Sequence, residues 1–431
     1  MERPDDALEL LSSMQTAPHA GECTGPRLPC GWHTPAAAPM TFLSTLAQLS
    51  RAAVLALGRE LAAWKPSPSR ASFAAAAVLS VALSVALANA LNLSDTWWAA
   101  ITGFVLMQTT FASSVERSAY RIMGTVIGAA LGTIIGPWLG DRPWFFVPAM
   151  AAIGGVSVYQ ANGLKASYAW ILGGVTALMV TYEAHKFASI RETALFAALR
   201  VAEVAVGTFS CLVVASLFYF GPKWYRRARA GASLNHAAGS ASASSASAAP
   251  TPPTQTSQAI RTLLGVQAAL SVTILAILTY VWHTPGFAQT MVTVMAVLLL
   301  PAGLTADITQ QRVLEKMVQR VAGCLLAGAL ALALLPLMRG EAVLCMLALS
   351  IGVWLGCHVQ TGREGASYVG RQFTIAFIIV FVQDHHWSAD PLPALERLTG
   401  ILIGIVVLAL VMIATSKRPF VTAHTQSDEV T

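Results

Sequence analysis

Charge is what this sequence most lacks. Aspartate, glutamate, lysine and arginine make up 11% of its 431 residues while hydrophobic types make up 55%, whereas an average soluble chain is about one quarter charged. A surface of ordinary solvated side chains is therefore excluded for most of the molecule. The motifs of soluble enzymes are missing as well: there is no P-loop, no G-x-S-x-G elbow and no H-E-x-x-H helix. No enzymatic activity, catalytic residue or cofactor is expected. Cysteine is sparse, and four of the six, Cys211, Cys324, Cys345 and Cys357, fall in apolar runs where a thiol packs as a small soft hydrophobe. Cys23, Cys30 and His33 have no fourth partner at metal-site spacing, so no metal is expected. The net charge of +6 is too small and too scattered for nucleic acid. Residues 1–40 lack the apolar core of a signal peptide and read as a disordered extension, with Met40 as an alternative start.

What is present is a succession of long apolar runs. Mean hydropathy is +0.61, and twelve segments approach the roughly 17 to 25 residues needed to cross about 30 Å of hydrocarbon. Six lie between 71 and 220 and six between 259 and 415; the second, 97–113, and the eighth, 287–305, are the weakest of the set. The expected fold class is all-α, a polytopic membrane protein of about twelve transmembrane helices.

Basic residues sit before the first run (Arg51, Arg59, Lys65, Arg70), after the sixth (Lys223, Arg226, Arg227, Arg229) and after the twelfth (Lys417, Arg418). Positive charge stays on the cytoplasmic side, so both termini are expected inside a bacterial inner membrane. The reading divides the chain into a basic cytoplasmic segment, 41–70, a six-helix unit, 71–222, an Ala/Ser/Pro linker, 223–258, a second six-helix unit, 259–416, and a cytoplasmic tail, 417–431. The linker offers no apolar face to bury and is expected to be disordered.

The two units align. Glu116, Arg117, Arg121 and Gly124 fall on Glu315, Lys316, Arg320 and Gly323. Further on, Ala166, Ser167 and Tyr168 meet Ala366, Ser367 and Tyr368, and Arg200 with Gly207 meets Arg397 with Gly404. Three anchors in order, at similar offsets, argue for a duplicated six-span module, and an even number of spans makes the repeats parallel. Within the first unit, RIMGTVIGAALGTIIG at 121–136 places Gly124, Gly128, Gly132 and Gly136 four residues apart. Each would cost about 1 kcal/mol in a soluble helix, but between membrane helices small residues at this spacing let backbones meet. A phosphate loop is excluded, because no strand precedes the glycines and their spacing is helical.

Ionisable groups inside apolar runs are costly and so become functional candidates. Arg121 and Arg320, each with a basic companion four residues earlier (Arg117, Lys316), suit a substrate carboxylate through a bidentate guanidinium; simple snorkelling to the interface is the competing reading. Arg371 has no counterpart, since position 171 is isoleucine. Arg200 and Glu203, three residues apart, share a helix face and form either a neutralising ion pair or a proton-coupling group, with Arg397 in the matching place. Trp98 with Trp97 is an interfacial belt or a stacking surface, and Gln108, Tyr168 and Tyr368 either line a path or bond between helices. The cluster Gln383, Asp384, His385 and His386 reads as an outer loop. The loop AGLTADITQQRV, at 302–313, is a faint likeness of the Gly-x-Leu-x-Asp loop of major facilitator transporters but lacks its second glycine and basic run.

The stretch DTWWAAITGFVLMQTTFASSVERSAYRIMGTVIGAALG, at 95–132, resembles the fusaric acid resistance protein-like (FUSC) family of membrane transporters, through Trp98, Gln108, the Arg121-x-x-Gly124-Thr125 turn and the small-residue helix after it. The likeness extends more weakly over both halves. It implies efflux of aromatic or lipophilic carboxylic acids from the cytoplasm, drawing on the proton gradient, with distant kinship to plant malate channels. The larger exporters of that family carry sizeable cytoplasmic domains, and here only the short linker stands in their place. A periplasmic efflux partner and a homo-oligomer are left open.

Overall fold

The computed structural model describes residues 42–64, 67–139, 142–163, 166–187, 189–231, 257–282, 286–301, 305–382 and 392–415. The N-terminal extension with Cys23, Cys30 and His33, most of the linker, Lys165, the cluster Gln383 to His386 and the tail lie outside them, as does the side chain of Arg397. Among the described residues the chain is all helix: α1 Phe42–Ala63, α2 Pro68–Ala90, α3 Thr96–Leu106, α4 Phe111–Leu139, α5 Pro143–Ala161, α6 Ser167–Lys186, α7 Ile190–Gly231, α8 Gln258–Trp282, α9 Phe287–Leu298, α10 Ala306–Met338, α11 Ala342–Gln360, α12 Ser367–Phe381 and α13 Leu392–Thr415.

Eight of these helices are long and apolar enough to cross a membrane, namely α2, α4, α5, α7, α8, α10, α11 and α13. This is a multi-pass membrane protein. The expected second, eighth and eleventh runs are not full-length helices. At 1.5 Å per residue, α3, with 11 residues, and α9, with 12, reach only about 16 to 18 Å, and α12 has 15 residues. Met107 after α3 and Leu299 and Leu300 after α9 are still apolar, but the backbone there leaves helical geometry. After Leu106, Met107 and Gln108 leave helical geometry and the chain re-enters a helix at Phe111. Gln108 Nε2 donates to the carbonyls of Met107 and Val105, at 2.8 and 3.3 Å, and its N–H donates to Ser114 Oγ. Lys316 Nζ donates to the Leu299 carbonyl at the end of α9. Polar side chains thus satisfy carbonyls that a continuing helix would have satisfied.

Packing follows one scheme used twice. In the first six helices α4 packs on α6, α3 on α2 and α7, and α5 on α6; α10 with α12, α9 with α8 and α13, and α11 with α12 repeat those pairs. Across the molecule α5 lies against α8 as α11 lies against α2, and α6 touches α9 as α12 touches α3. The glycine face behaves as expected. A Cβ on Gly124 would stand 2.5 Å from the Ala169 carbonyl oxygen, and Gly128 and Gly132 press on Gly173 and Val180, so α4 and α6 meet backbone to backbone. Gly323 meets Val369 and Phe373 in the same way between α10 and α12.

The segment read as 41–70 contains a helix. α1 buries Thr45, Ala53, Ala56 and Glu60, one stripe at helical spacing, and packs on α10 and α11. Its end is clamped. Arg70 Nη2 donates to Glu60 Oε1 at 2.6 Å, Arg70 Nε to Thr361 Oγ1 at 3.2 Å, and the N–H groups of Arg363 and Glu364 to Glu60 Oε2. Trp64 stacks on His358 with ring centroids 3.9 Å apart.

Candidate functional site

The short helices converge on a cavity of about 210 Å³. α3 contributes Trp97, Trp98, Ile101 and Val105, and α9 contributes Gln289, Val292 and Ala296. The bases of α4 and α10 add Arg117, Arg121, Lys316 and Arg320; α6 and α12 add Tyr168, Tyr368, Arg371 and Gln372. Seven of the residues singled out in the sequence are therefore brought together: Arg117, Arg121, Arg320, Arg371, Trp98, Tyr168 and Tyr368. Gln108 is placed elsewhere, on the end of α3.

The cations are fixed by neutral partners. Arg121, 4% exposed, donates to Thr102 Oγ1 at 2.8 Å and to Tyr168 Oη at 3.2 Å. Arg320, 5% exposed, donates to Gln372 Oε1 at 2.6 Å. Arg117 lies over the Tyr168 ring at 4.3 Å and Lys316 over Tyr368 at 5.6 Å. Arg371 is within electrostatic reach of both Arg117 and Lys316. None of the described lining residues is acidic. Arg121 Nε, Arg320 Nε and Trp98 Nε1 are buried without an acceptor among the described residues. A buried donor left in this state costs about 1 to 3 kcal/mol, more when charged, so the cavity is built to receive an acceptor.

At the other end of α3, Arg200 bridges Glu203 at 3.0 Å and Asp95, and the N–H of Asp95 donates to Glu203 Oε1 at 3.2 Å. Two carboxylates thus flank one guanidinium, with Glu203 fully buried. The cluster touches the cavity through Trp98, whose ring lies 5.4 Å from the Arg200 guanidinium. The ion pair read from the sequence is present, but Asp95 escaped that reading; its signal was an acid directly ahead of two tryptophans at a helix start.

The second half differs here. Gly207 packs on Ala99 and Thr102 as Gly404 packs on Thr290 and Thr293, which places Gly286 opposite Asp95 and Gly400 opposite Glu203. Gly286, at φ +73°, and Gly400 touch backbone to backbone, the Gly400 Cβ position lying 2.5 Å from the Gly286 carbonyl oxygen. At these two positions the first half carries carboxylates and the second carries glycines.

Residues 70–273, a little under half of the chain, match the model of the fusaric acid resistance protein family. That stretch is similar to the FUSC family. The matched stretch begins at Arg70 and takes in the first half and its share of the cavity: Trp98, Arg117, Arg121 and Tyr168. An uncharacterized transporter YdhK of Salmonella typhimurium is 30% identical over 131 residues, 30% of this chain and 19% of that protein. The YdhK of Escherichia coli K12 is 27% identical over the same length, 30% of this chain and 20% of its own. The alignments thus span about a fifth of those relatives. No solved structure matches. The family and YdhK matches are a likeness to membrane transporters over part of the chain.

Proposed function

We propose that this protein exports organic anions, aromatic or lipophilic carboxylic acids, across a bacterial inner membrane. In this reading twelve helices, α2 to α13, form two parallel six-helix repeats with both termini cytoplasmic. The observation that carries it is the cationic, apolar-walled cavity between matched helices. A carboxylate is expensive to desolvate, and preset guanidinium donors offset that cost where water cannot. Unusually short hydrophobic helices at corresponding positions of two halves mark the binding site in transporters of duplicated design, and α3 and α9 are such a pair. The ring of Trp98 gives an aromatic substrate a face to stack on.

Motion of one half against the other alternates access, and the charge cluster Asp95, Arg200 and Glu203 takes the coupling proton. Protonating one carboxylate changes how Arg200 is held, and with it the contact between Arg200 and Trp98. The test uses inverted membrane vesicles and radiolabelled p-hydroxybenzoate and fusaric acid, with and without an uncoupler. Accumulation that collapses with uncoupler supports driven export. Equilibration indifferent to uncoupler assigns the same residues to a passive anion channel. Absence of flux for both acids, with the protein present in the membrane, removes the substrate class. Arg121→Gln and Arg320→Gln each lower accumulation at least 100-fold while membrane insertion, read by blotting, is unchanged; full activity in both excludes these arginines from the site.

A further inference from the structure

The cavity holds more positive charge than one carboxylate needs. Five cations, Arg117, Arg121, Lys316, Arg320 and Arg371, line about 210 Å³, and none of the described lining residues is acidic. They are grouped. Arg117 and Arg121 share Tyr168 on one side, while Lys316 lies over Tyr368 and Arg320 is fixed by Gln372 on the other. Both groups leave buried arginine Nε atoms without an acceptor among the described residues, those of Arg117 and Arg121 on the first side and that of Arg320 on the second. Arg371, where the first half has Ile171, lies in electrostatic reach of Arg117 and Lys316 and so links the two groups. The wall between them is apolar, with Ile101, Val105, Val292 and Ile375.

Building on the transporter reading of this site, we infer that the substrate is a doubly charged organic anion whose two acid groups are held apart by a flat apolar body. A single carboxylate would meet one group and leave the other desolvated and facing its like charges. Two acid groups meet both, and each replaces a missing acceptor. The volume lies below the 300 to 1,000 Å³ usual for drug-sized pockets, which limits the body to about one ring. A small dianion such as a benzenedicarboxylate fits this description, and one benzoate leaves it half met.

The test is isothermal calorimetry on the purified full-length protein with phthalate, isophthalate, terephthalate, monomethyl terephthalate and benzoate. At least one dicarboxylate should bind with one molecule per chain and at least 30-fold more tightly than the monoester or benzoate. Arg320→Gln should shrink that gap to under threefold, and Arg320→Lys, which keeps the charge and guards against misfolding, should retain most of it. Equal affinity for monoester and diacid, two benzoates bound per chain, or no binding by any dicarboxylate would overturn the inference. Binding is read without flux, so a diacid that binds but is not moved by vesicles refutes transport and leaves the inference standing. Benzoate that is accumulated while every diacid is ignored does the reverse.

Discussion

The Glu60 carboxylate joins three separated stretches of chain: α1, the start of α2 and the turn after α11. Burial by itself would raise its pKa, but hydrogen bonds from Arg70 and from the Glu364 and Arg363 N–H groups outweigh that and hold it below the ordinary 4.5. A carboxyl lowered in the folded state stabilises fully above the pKa of the free group and loses that contribution as pH falls through the folded value. The clamp should therefore hold from neutrality down to about pH 4.5 and open below it. The fluorescence of Trp64, taken as the difference from Trp64→Phe, should shift with a midpoint under 4.5, and Glu60→Gln should show the shifted signal already at pH 7. Breaking such a pair costs about 3 kcal/mol, so trypsin should cut Glu60→Gln at Arg51 and Arg59 far faster than wild type. The Asp95 cluster makes an opposite point about single residues. Glu203→Gln keeps the shape of the buried side chain without its charge and should lose the response to uncoupler. Arg200→Gln removes the guanidinium that Asp95 and Glu203 both contact and should cut the yield of folded protein, measured by size exclusion in detergent.

Helices α4 and α6 show what an element gains from having no side chain. Gly128→Ala would drive a methyl group into the Gly173 backbone, and overpacking of this kind costs about 1 to 3 kcal/mol. Gly58 on α1 has nothing within 4 Å of its Cβ position, so Gly58→Ala should gain up to about 1 kcal/mol from helix propensity alone. Melting in detergent should move down for the first variant and up or not at all for the second. The glycine face was legible because its spacing is itself the packing rule, and the Arg121 and Arg320 anchors pointed to two arginines that meet in one cavity. The ends of α3, α9 and α12 were not. Met107, Leu299 and Leu300 are as apolar as the helices they follow, and a buried turn keeps hydropathy high while the backbone leaves helical geometry. Lys316 reaches the end of α9 from a distance and Gln108 turns back on the carbonyls of α3, neither of which hydropathy shows, although Pro301 just past Leu300 was a local signal of a stop. The pairing of Asp95 with Gly286 was hidden for another reason: the residues share no chemistry, and only the contacts of Gly207 and Gly404 align them.

At the scale of the whole molecule, the cavity belongs to neither half. Ala296 on α9 and Val105 on α3 line it from opposite parts of the chain, so Ala296→Cys in an otherwise cysteine-free chain should react with a small maleimide and be shielded by substrate. Lack of shielding would place the substrate elsewhere. The clamp at Glu60 lies toward the end where α3 stops short, and the cavity runs from near that end along α3 to Trp97 and Trp98. Thr109 and Thr110 just beyond α3 are exposed, and Thr109 lines a second, polar cavity with Glu60 and Arg70. In the membrane orientation proposed above, this notch admits water part of the way across. The transmembrane voltage then drops mainly over the remaining thickness, near Asp95 and Glu203, instead of uniformly over about 30 Å. A charge crossing that layer experiences most of the roughly 2.3 kcal/mol per 100 mV over a short path. The short helices thereby concentrate the electric field where the two halves differ, and an anion crossing this protein would feel the membrane potential as a single steep step.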